Sequence, residues 1–152
     1  MPLDPSVIGK QLPPSTLAVD AGRLRFFATA IGETNPIFTD LAAARAAGYA
    51  NLPVPPTFLF GIELETPGSF GWLAELGVDL RRVLHGEQSF TYHSTAVAGD
   101  VLTSTPTIGK VYSKKGGALD FLEKTSRITR ADGELVAELK SVLVVRNPEV
   151  GN

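Results

Sequence analysis

Of the 16 carboxylates in this sequence, two share one short stretch with an amide and an aromatic ring. Gly32-Glu33-Thr34-Asn35-Pro36-Ile37-Phe38-Thr39-Asp40 carries two carboxylates and an amide. Glu33 can serve as a general base in such a loop, or cap a neighbouring turn. Asn35 can present its amide to a polar ligand; before Pro36 it can equally build an Asx-turn. Asp40 stands where a cap for a following helix belongs. Phe38 has no proton to give or take at any pH and reads as an apolar plug. The only imidazoles are His85 and His93. On one regular strand they would face the same side, roughly 27 Å apart, which excludes a shared site unless the strand breaks between them. His85, beside Gly86, can stand in for a proton carrier, contact a ligand or be structural. His93 reads as a surface strand residue.

Other chemistry is excluded by composition. There is no cysteine, so disulfides, thiolate metal ligands and Cys nucleophiles are ruled out. Two distant histidines give no basis for a zinc site. The formal net charge is -2, and the basic residues are scattered apart from Lys110, Lys114 and Lys115. A nucleic-acid or anionic-membrane surface needs a concentrated positive face. The motifs Gly-x-Ser-x-Gly, Gly-x-x-x-x-Gly-Lys-Ser/Thr, Gly-x-Gly-x-x-Gly and His-Glu-x-x-His are absent. No apolar run approaches the roughly 18 residues of a membrane span. The start, Met1-Pro2-Leu3-Asp4-Pro5-Ser6, does not read as a secretory signal. The expectation is a cytoplasmic globular domain without metal or cofactor, one domain over 1–152 with a core of about 8–146 and frayed ends.

The elements that must position these residues change character near residue 83. Before it, helical spacing dominates. Asp20 caps a helix whose buried face is Leu24, Phe27, Ala28 and Ile31, and Gly32 stops it. An Ala-rich helix runs from about Asp40 to Ala47 and ends at Gly48. Pro53, Pro55 and Pro56 hold an extended loop, and a helix over 56–66 buries Phe58, Leu59 and Ile62. Pro67-Gly68 breaks it, and Ser69 can cap a further turn. A strand around Gln11 to Val19 precedes all of these. After residue 83 the chain alternates like strands, with turns at Gly99-Asp100, Lys115-Gly116-Gly117 and a two-residue hairpin at Asp132-Gly133. The last strand places Leu135, Ala137, Leu139, Ser141, Leu143 and Val145 on one face. Helices segregated from an antiparallel sheet define an α+β domain. Exposed sheet edges make a dimer the physical expectation.

The Gly32–Asp40 loop resembles the active-site loop of MaoC-type (R)-specific enoyl-thioester hydratases, Gly-Asp-x-Asn-Pro-x-His-x-Asp. Glu33 holds the place of the proton-handling Asp, and Phe38 that of the His. Pro55-Pro56-Thr57-Phe58, the stretch from His85 to Phe90 and Ala98-Gly99-Asp100 follow in the order of the FAS1-like dehydratase, or MaoC N-terminal, domain. The resemblance covers about residues 8–146 and implies a hot-dog fold, a long antiparallel sheet wrapped around the 56–66 helix. It also implies a non-catalytic half: a MaoC-domain partner brings the Asp and His, and this chain shapes a groove for an acyl-CoA or acyl-carrier thioester. Asn35, Pro56, Thr57, Phe58, His85 and Gly86 would line that groove. Two alternatives stay open. One is a self-sufficient homodimeric hydratase or hot-dog thioesterase using Glu33, with or without His85. The other is a homodimer that binds acyl-CoA without turnover.

Overall fold

The computed structural model describes residues 3–150. Five antiparallel strands form one sheet: β1 (Ser15–Ala18), β2 (Val83–Tyr92), β3 (Val101–Lys114), β4 (Leu119–Arg130) and β5 (Leu135–Arg146). Their order across the sheet is β1-β3-β4-β5-β2. The last three strands in sequence are therefore neighbours, while β1 and β2 form the edges. Helix α1 (Ala21–Ala30), helix α2 (Leu41–Ala46), a 3₁₀ helix (Pro56–Leu64) and helix α3 (Gly71–Glu75) lie between β1 and β2 in sequence. The sheet curls around the 3₁₀ helix, which is the hot-dog arrangement.

Local chemistry explains these elements. Asp20 Oδ1 accepts from the Arg23 N–H at 3.1 Å and starts α1; Gly32, at φ +73°, ends its last turn. Leu24 and Ala28 are fully buried. Ile31, expected on the same face, is 52% exposed, because it is already the C-cap residue and has left the helical stripe.

The central helix differs from the expected 56–66. It ends at Leu64 and winds as a 3₁₀ helix. Three residues per turn place Leu59 and Ile62 in one row and Phe60 and Glu63 in the next. Leu59 and Ile62 fill the core with Leu24, Leu102, Ile128 and Val136. Ser69 caps nothing; α3 follows Phe70 without a side-chain cap. The hairpin at Asp132-Gly133 is also longer than two residues. Arg130 N–H donates to the Glu134 carbonyl and Gly133 N–H to the Arg130 carbonyl, with Gly133 left-handed at φ +89°. That is a type I turn followed by a glycine bulge.

Three bulges interrupt the strand alternation. One lies at Gly86, between the pairs His85–Leu143 and Glu87–Val142. Another lies at Gly109 in β3 and the third at Val136 in β5. Each bends its strand and increases the local twist. At Gly86 a Cβ would stand 2.9 Å from Val144 Cγ2 and 3.2 Å from the Val142 carbonyl oxygen, so this bulge is built for glycine.

Of the ends expected to fray, Met1, Pro2, Gly151 and Asn152 lie outside the described residues. Leu3 is buried, and its N–H donates to Asp120 Oδ2 at 3.0 Å. Asn147 Nδ2 donates to the same oxygen at 2.8 Å. One buried carboxylate thus ties both ends of the chain to β4.

A second carboxylate organises the interior. Glu63, on the central helix, accepts from Ser104 Oγ on β3 at 2.7 Å. It also accepts from Ser126 Oγ and Lys124 Nζ on β4. The Glu63 and Lys124 side chains are only 18% and 12% exposed. Burial alone would raise the Glu63 carboxyl, but the Lys124 charge and the three hydrogen bonds outweigh it and hold it below its ordinary value.

A lowered folded-state value makes this contribution present above the unfolded value and lost as pH falls through the folded one. Lys124→Met, which strands the carboxylate, is expected to cost about 3–5 kcal/mol. The double replacement Glu63→Leu with Lys124→Met should cost far less and flatten the acid side of stability below about pH 5. Urea denaturation of the three proteins between neutral pH and pH 3 checks both expectations.

Candidate functional site

The Gly32–Asp40 loop spends its polar side chains on its own backbone. Glu33 Oε1 accepts from the Asn35 N–H at 2.8 Å. Asn35 Oδ1 accepts from the Ile37 N–H at 3.2 Å and caps the 3₁₀ turn Pro36–Phe38. Asp40 Oδ1 accepts from the Ala42 N–H at 2.8 Å and starts α2. Arg25, on α1, donates from Nε to the Thr39 carbonyl at 2.9 Å. These bonds shape a tight turn that carries Phe38, half-buried, to the wall of a cleft.

That cleft holds about 350 Å³. Phe38, Tyr49, Pro53, Val54, Pro56 and Leu59 line one side, and Tyr92 to Ala96 with Val136 the other. Its two walls are stitched together by backbone bonds: Val54 N–H to the Ala96 carbonyl and Ala98 N–H to the Leu52 carbonyl, each 2.8 Å. Arg130 braces the far wall from behind. It donates to Asp100 Oδ2 at 3.2 Å, Ser94 Oγ at 3.0 Å and the Thr95 carbonyl at 2.6 Å. Burial would lower the Arg130 guanidinium, but the Asp100 and Glu134 carboxylates raise it further, so it is a permanent cation there. Partial burial raises the Tyr92 phenol, so a neutral hydroxyl stands in the cleft.

The residues singled out in the sequence do not all converge. Phe38 and Pro56 line the cleft. Glu33 and Asn35 lie in the loop that supports it, with the bonds described. Thr57 is exposed at the start of the central helix. Phe58 is a core residue, 7% exposed, packed edge-on against Phe27 with ring centroids 5.4 Å apart. His85 and Gly86 lie toward the other end of β2. The His85 ring stacks on Phe60 at 5.1 Å, and its Nε2 lies 3.2 Å from Gln88 Oε1. The bulge at Gly86 breaks the alternation, so the expectation that His85 and His93 share a face fails.

His93 is exposed at the surface, as expected. It follows the last residue of β2, lines the cleft, and places Nε2 2.9 Å from Glu138 Oε2. Sequence reasoning missed this residue, its partner Glu138, and the bracing Arg130. No local signal marks the pair: β2 and β5 register Thr91 opposite Glu138, so position 93 is a diagonal neighbour of Glu138 on the same face.

The profile of the FAS1-like dehydratase domain region matches residues 6–139. The chain belongs to this family, and its fold is that of the MaoC-like hot-dog dehydratases. It is 39% identical over 152 residues to a UPF0336 protein of Streptomyces avermitilis, covering 99% of this chain and all of the relative. To a UPF0336 protein of Leifsonia xyli it is 42% identical over 150 residues, covering 98% and 99%. Among solved structures, it is similar to a chain of the HadBC (3R-hydroxyacyl-ACP dehydratase) complex of Mycobacterium tuberculosis. That likeness has a TM-score of 0.78 and 27% identity, over 91% of this chain and 96% of the other. The ChsH1-ChsH2 complex of the same organism gives a TM-score of 0.74 at 25% identity, over 91% and 90%. The family is therefore that of hydratases and dehydratases. Among the described residues, no helix is long and apolar enough to cross a membrane.

The loop's hydrogen bonds give a direct test of its construction. Asn35→Ala removes the acceptor that caps the Pro36–Phe38 turn and should cost about 1 kcal/mol. Glu33→Gln keeps an oxygen able to accept from the Asn35 N–H, so its effect should stay within about 0.5 kcal/mol. Urea denaturation of both variants measures the contrast.

Proposed function

We propose that this chain is the ligand-holding subunit of an (R)-specific enoyl-thioester hydratase or 3-hydroxyacyl-thioester dehydratase. The catalytic Asp and His come from a MaoC-domain partner. One observation carries the reading: Phe38 stands in the cleft at the loop position where the hydratase motif has its His. Interconversion of a 3-hydroxyacyl and an enoyl thioester requires a base at the α-carbon, an acid at the departing hydroxyl and a donor for the enolate oxygen. A phenyl ring supplies none of these, and Glu33 is engaged by the backbone of its own loop. The chain's part is to hold the acyl-CoA or acyl-carrier thioester, exclude water along the apolar wall from Phe38 to Leu59, and leave proton transfer to the partner. No cofactor is needed for this chemistry. The proposed compartment is the cytoplasm.

The resemblance to chains of the HadBC and ChsH1-ChsH2 complexes supports a paired subunit. The β2 edge fits the role of docking strand. It pairs on one side with β5, and Leu84 and Tyr92 on it are 51% and 46% exposed. A second hot-dog sheet that continued from this edge would cover those side chains and satisfy the open backbone groups.

Hydration of crotonyl-CoA, measured with this chain alone and with the MaoC-domain protein encoded beside it, tests the reading. Activity is expected only in the mixture, and Glu33→Gln in this chain should leave it within about twofold. Activity of the chain alone that Glu33→Gln abolishes would establish a self-sufficient enzyme instead. Binding of acyl-CoA without turnover in either sample would establish a non-catalytic binding homodimer.

A further inference from the structure

Although Phe38 removes an imidazole from one wall of the cleft, another enters from the opposite wall. His93 and Ser94 both donate their N–H groups to the Val136 carbonyl, at 2.8 and 3.1 Å. That shared acceptor turns the backbone off the end of β2 and sets His93 in the cleft. Its Nε2 lies 2.9 Å from Glu138 Oε2, and an ionised carboxylate can only accept, so the proton sits on Nε2. The other Glu138 oxygen is held by Arg127 Nη1 at 3.3 Å. With the carboxylate braced from both sides, the ring orientation and tautomer are set, and Nδ1 of the neutral imidazole is left as an acceptor.

We propose that His93, positioned by Glu138, is a ligand-contacting residue of this cleft whose Nδ1 accepts a hydrogen bond from an amide N–H on the thioester arm. The inference rests on the ligand-holding role proposed above and names the part of the ligand that this wall recognises. Apolar side chains fill the facing wall, from Phe38 to Leu59, while the His93 side adds Thr95 and Tyr92. The Ser94 hydroxyl is already held between Arg130 and the Leu135 carbonyl. A cleft apolar on one side and hydrogen-bonding on the other suits an arm that alternates methylenes and amides. An anionic group would find less here, because the Arg127 charge is already shared with Glu138.

The pair is not a stability device. The His93 and Glu138 side chains are 39% and 38% exposed, and a side-chain hydrogen bond so open to water contributes at most about 1 kcal/mol. Substitutions at either position should therefore leave the fold intact.

The two histidines make the test internally controlled. The chain, carrying isotope-labelled histidine and mixed with its unlabelled MaoC-domain partner, is titrated with butyryl-pantetheine and followed by imidazole nitrogen NMR. Expected is a saturable shift of the His93 Nδ1 signal with the His85 signals unmoved. His93→Phe should weaken butyryl-pantetheine binding about five- to tenfold, the loss of one hydrogen bond. His85→Phe should leave it within about twofold. Glu138→Gln should redistribute the His93 tautomers in the spectrum and weaken binding less than His93→Phe does. Unchanged affinity in His93→Phe, or movement of His85 instead of His93, overturns the inference while the ligand-holding role stands. If the wild-type mixture binds no butyryl-pantetheine, both fall together.

Discussion

The buried carboxylate of Glu63 is the interaction on which the rest of this structure depends. A hot-dog sheet must close around its central helix, and apolar packing alone leaves that helix free to slide or roll by a fraction of a turn. Hydrogen bonds from Ser104, Ser126 and Lys124 to one side chain remove that freedom, because they come from two adjacent strands. The arrangement is costly to desolvate and tolerates no missing partner, which makes it selective for one position of the helix. Lys124 has a further neighbour: its ammonium lies over the Trp72 ring at 5.8 Å, linking α3 to the same point. With Glu63 held, Leu59 and Pro56 are set about one and two turns earlier, and these form one wall of the cleft.

The opposite wall is set by Arg130 in the same manner. His93 to Ala98 is an irregular segment with little regular pairing of its own, and a loop of that kind needs its backbone polar groups satisfied from elsewhere. Arg130 reaches it from β4 with a planar fork of donors that span Ser94, Thr95 and Asp100. Asp100 Oδ2 in turn accepts from the Val97 N–H at 2.9 Å. The cleft is thus a gap between two rigidly held surfaces, one fixed by a buried acid and the other by a buried base. Its shape does not depend on the few polar groups that line it.

This construction explains what was legible in the sequence. Capping residues, left-handed glycines and apolar spacing are local signals, so α1, α2, the Pro36 turn and the long strands could be read from neighbouring residues. The ordered motifs around Phe38 and Pro56 pointed to two residues that line the cleft. Interactions made across the sheet carried no local signal. Glu63 sits in an apolar helix as one polar position. Ser104 and Ser126 alternate onto the same inward face as Leu102 and Ile128, but nothing in their neighbours says which buried group they meet. The failed expectation that His85 and His93 share a face has a single cause. The reading assumed unbroken alternation along β2, and the bulge at Gly86, together with the turn after Tyr92, shifted the side to which each later residue points.

The same reasoning bears on how a hydratase loop can lose its chemistry and keep its form. The bonds that shape the loop run from Glu33 to the Asn35 N–H, from Asn35 to the Ile37 N–H and from Asp40 to the Ala42 N–H. None of them involves the side chain at position 38. That side chain contributes only contact to the cleft wall, so an imidazole there can give way to a phenyl ring of similar size without disturbing the turn. The reverse exchange does not restore a proton relay. A histidine at position 38 would share its wall with the apolar helix start at Pro56, while both loop carboxylates, Glu33 and Asp40, already accept from the backbone. The shape of these nine residues is therefore carried by atoms other than the side chain at position 38.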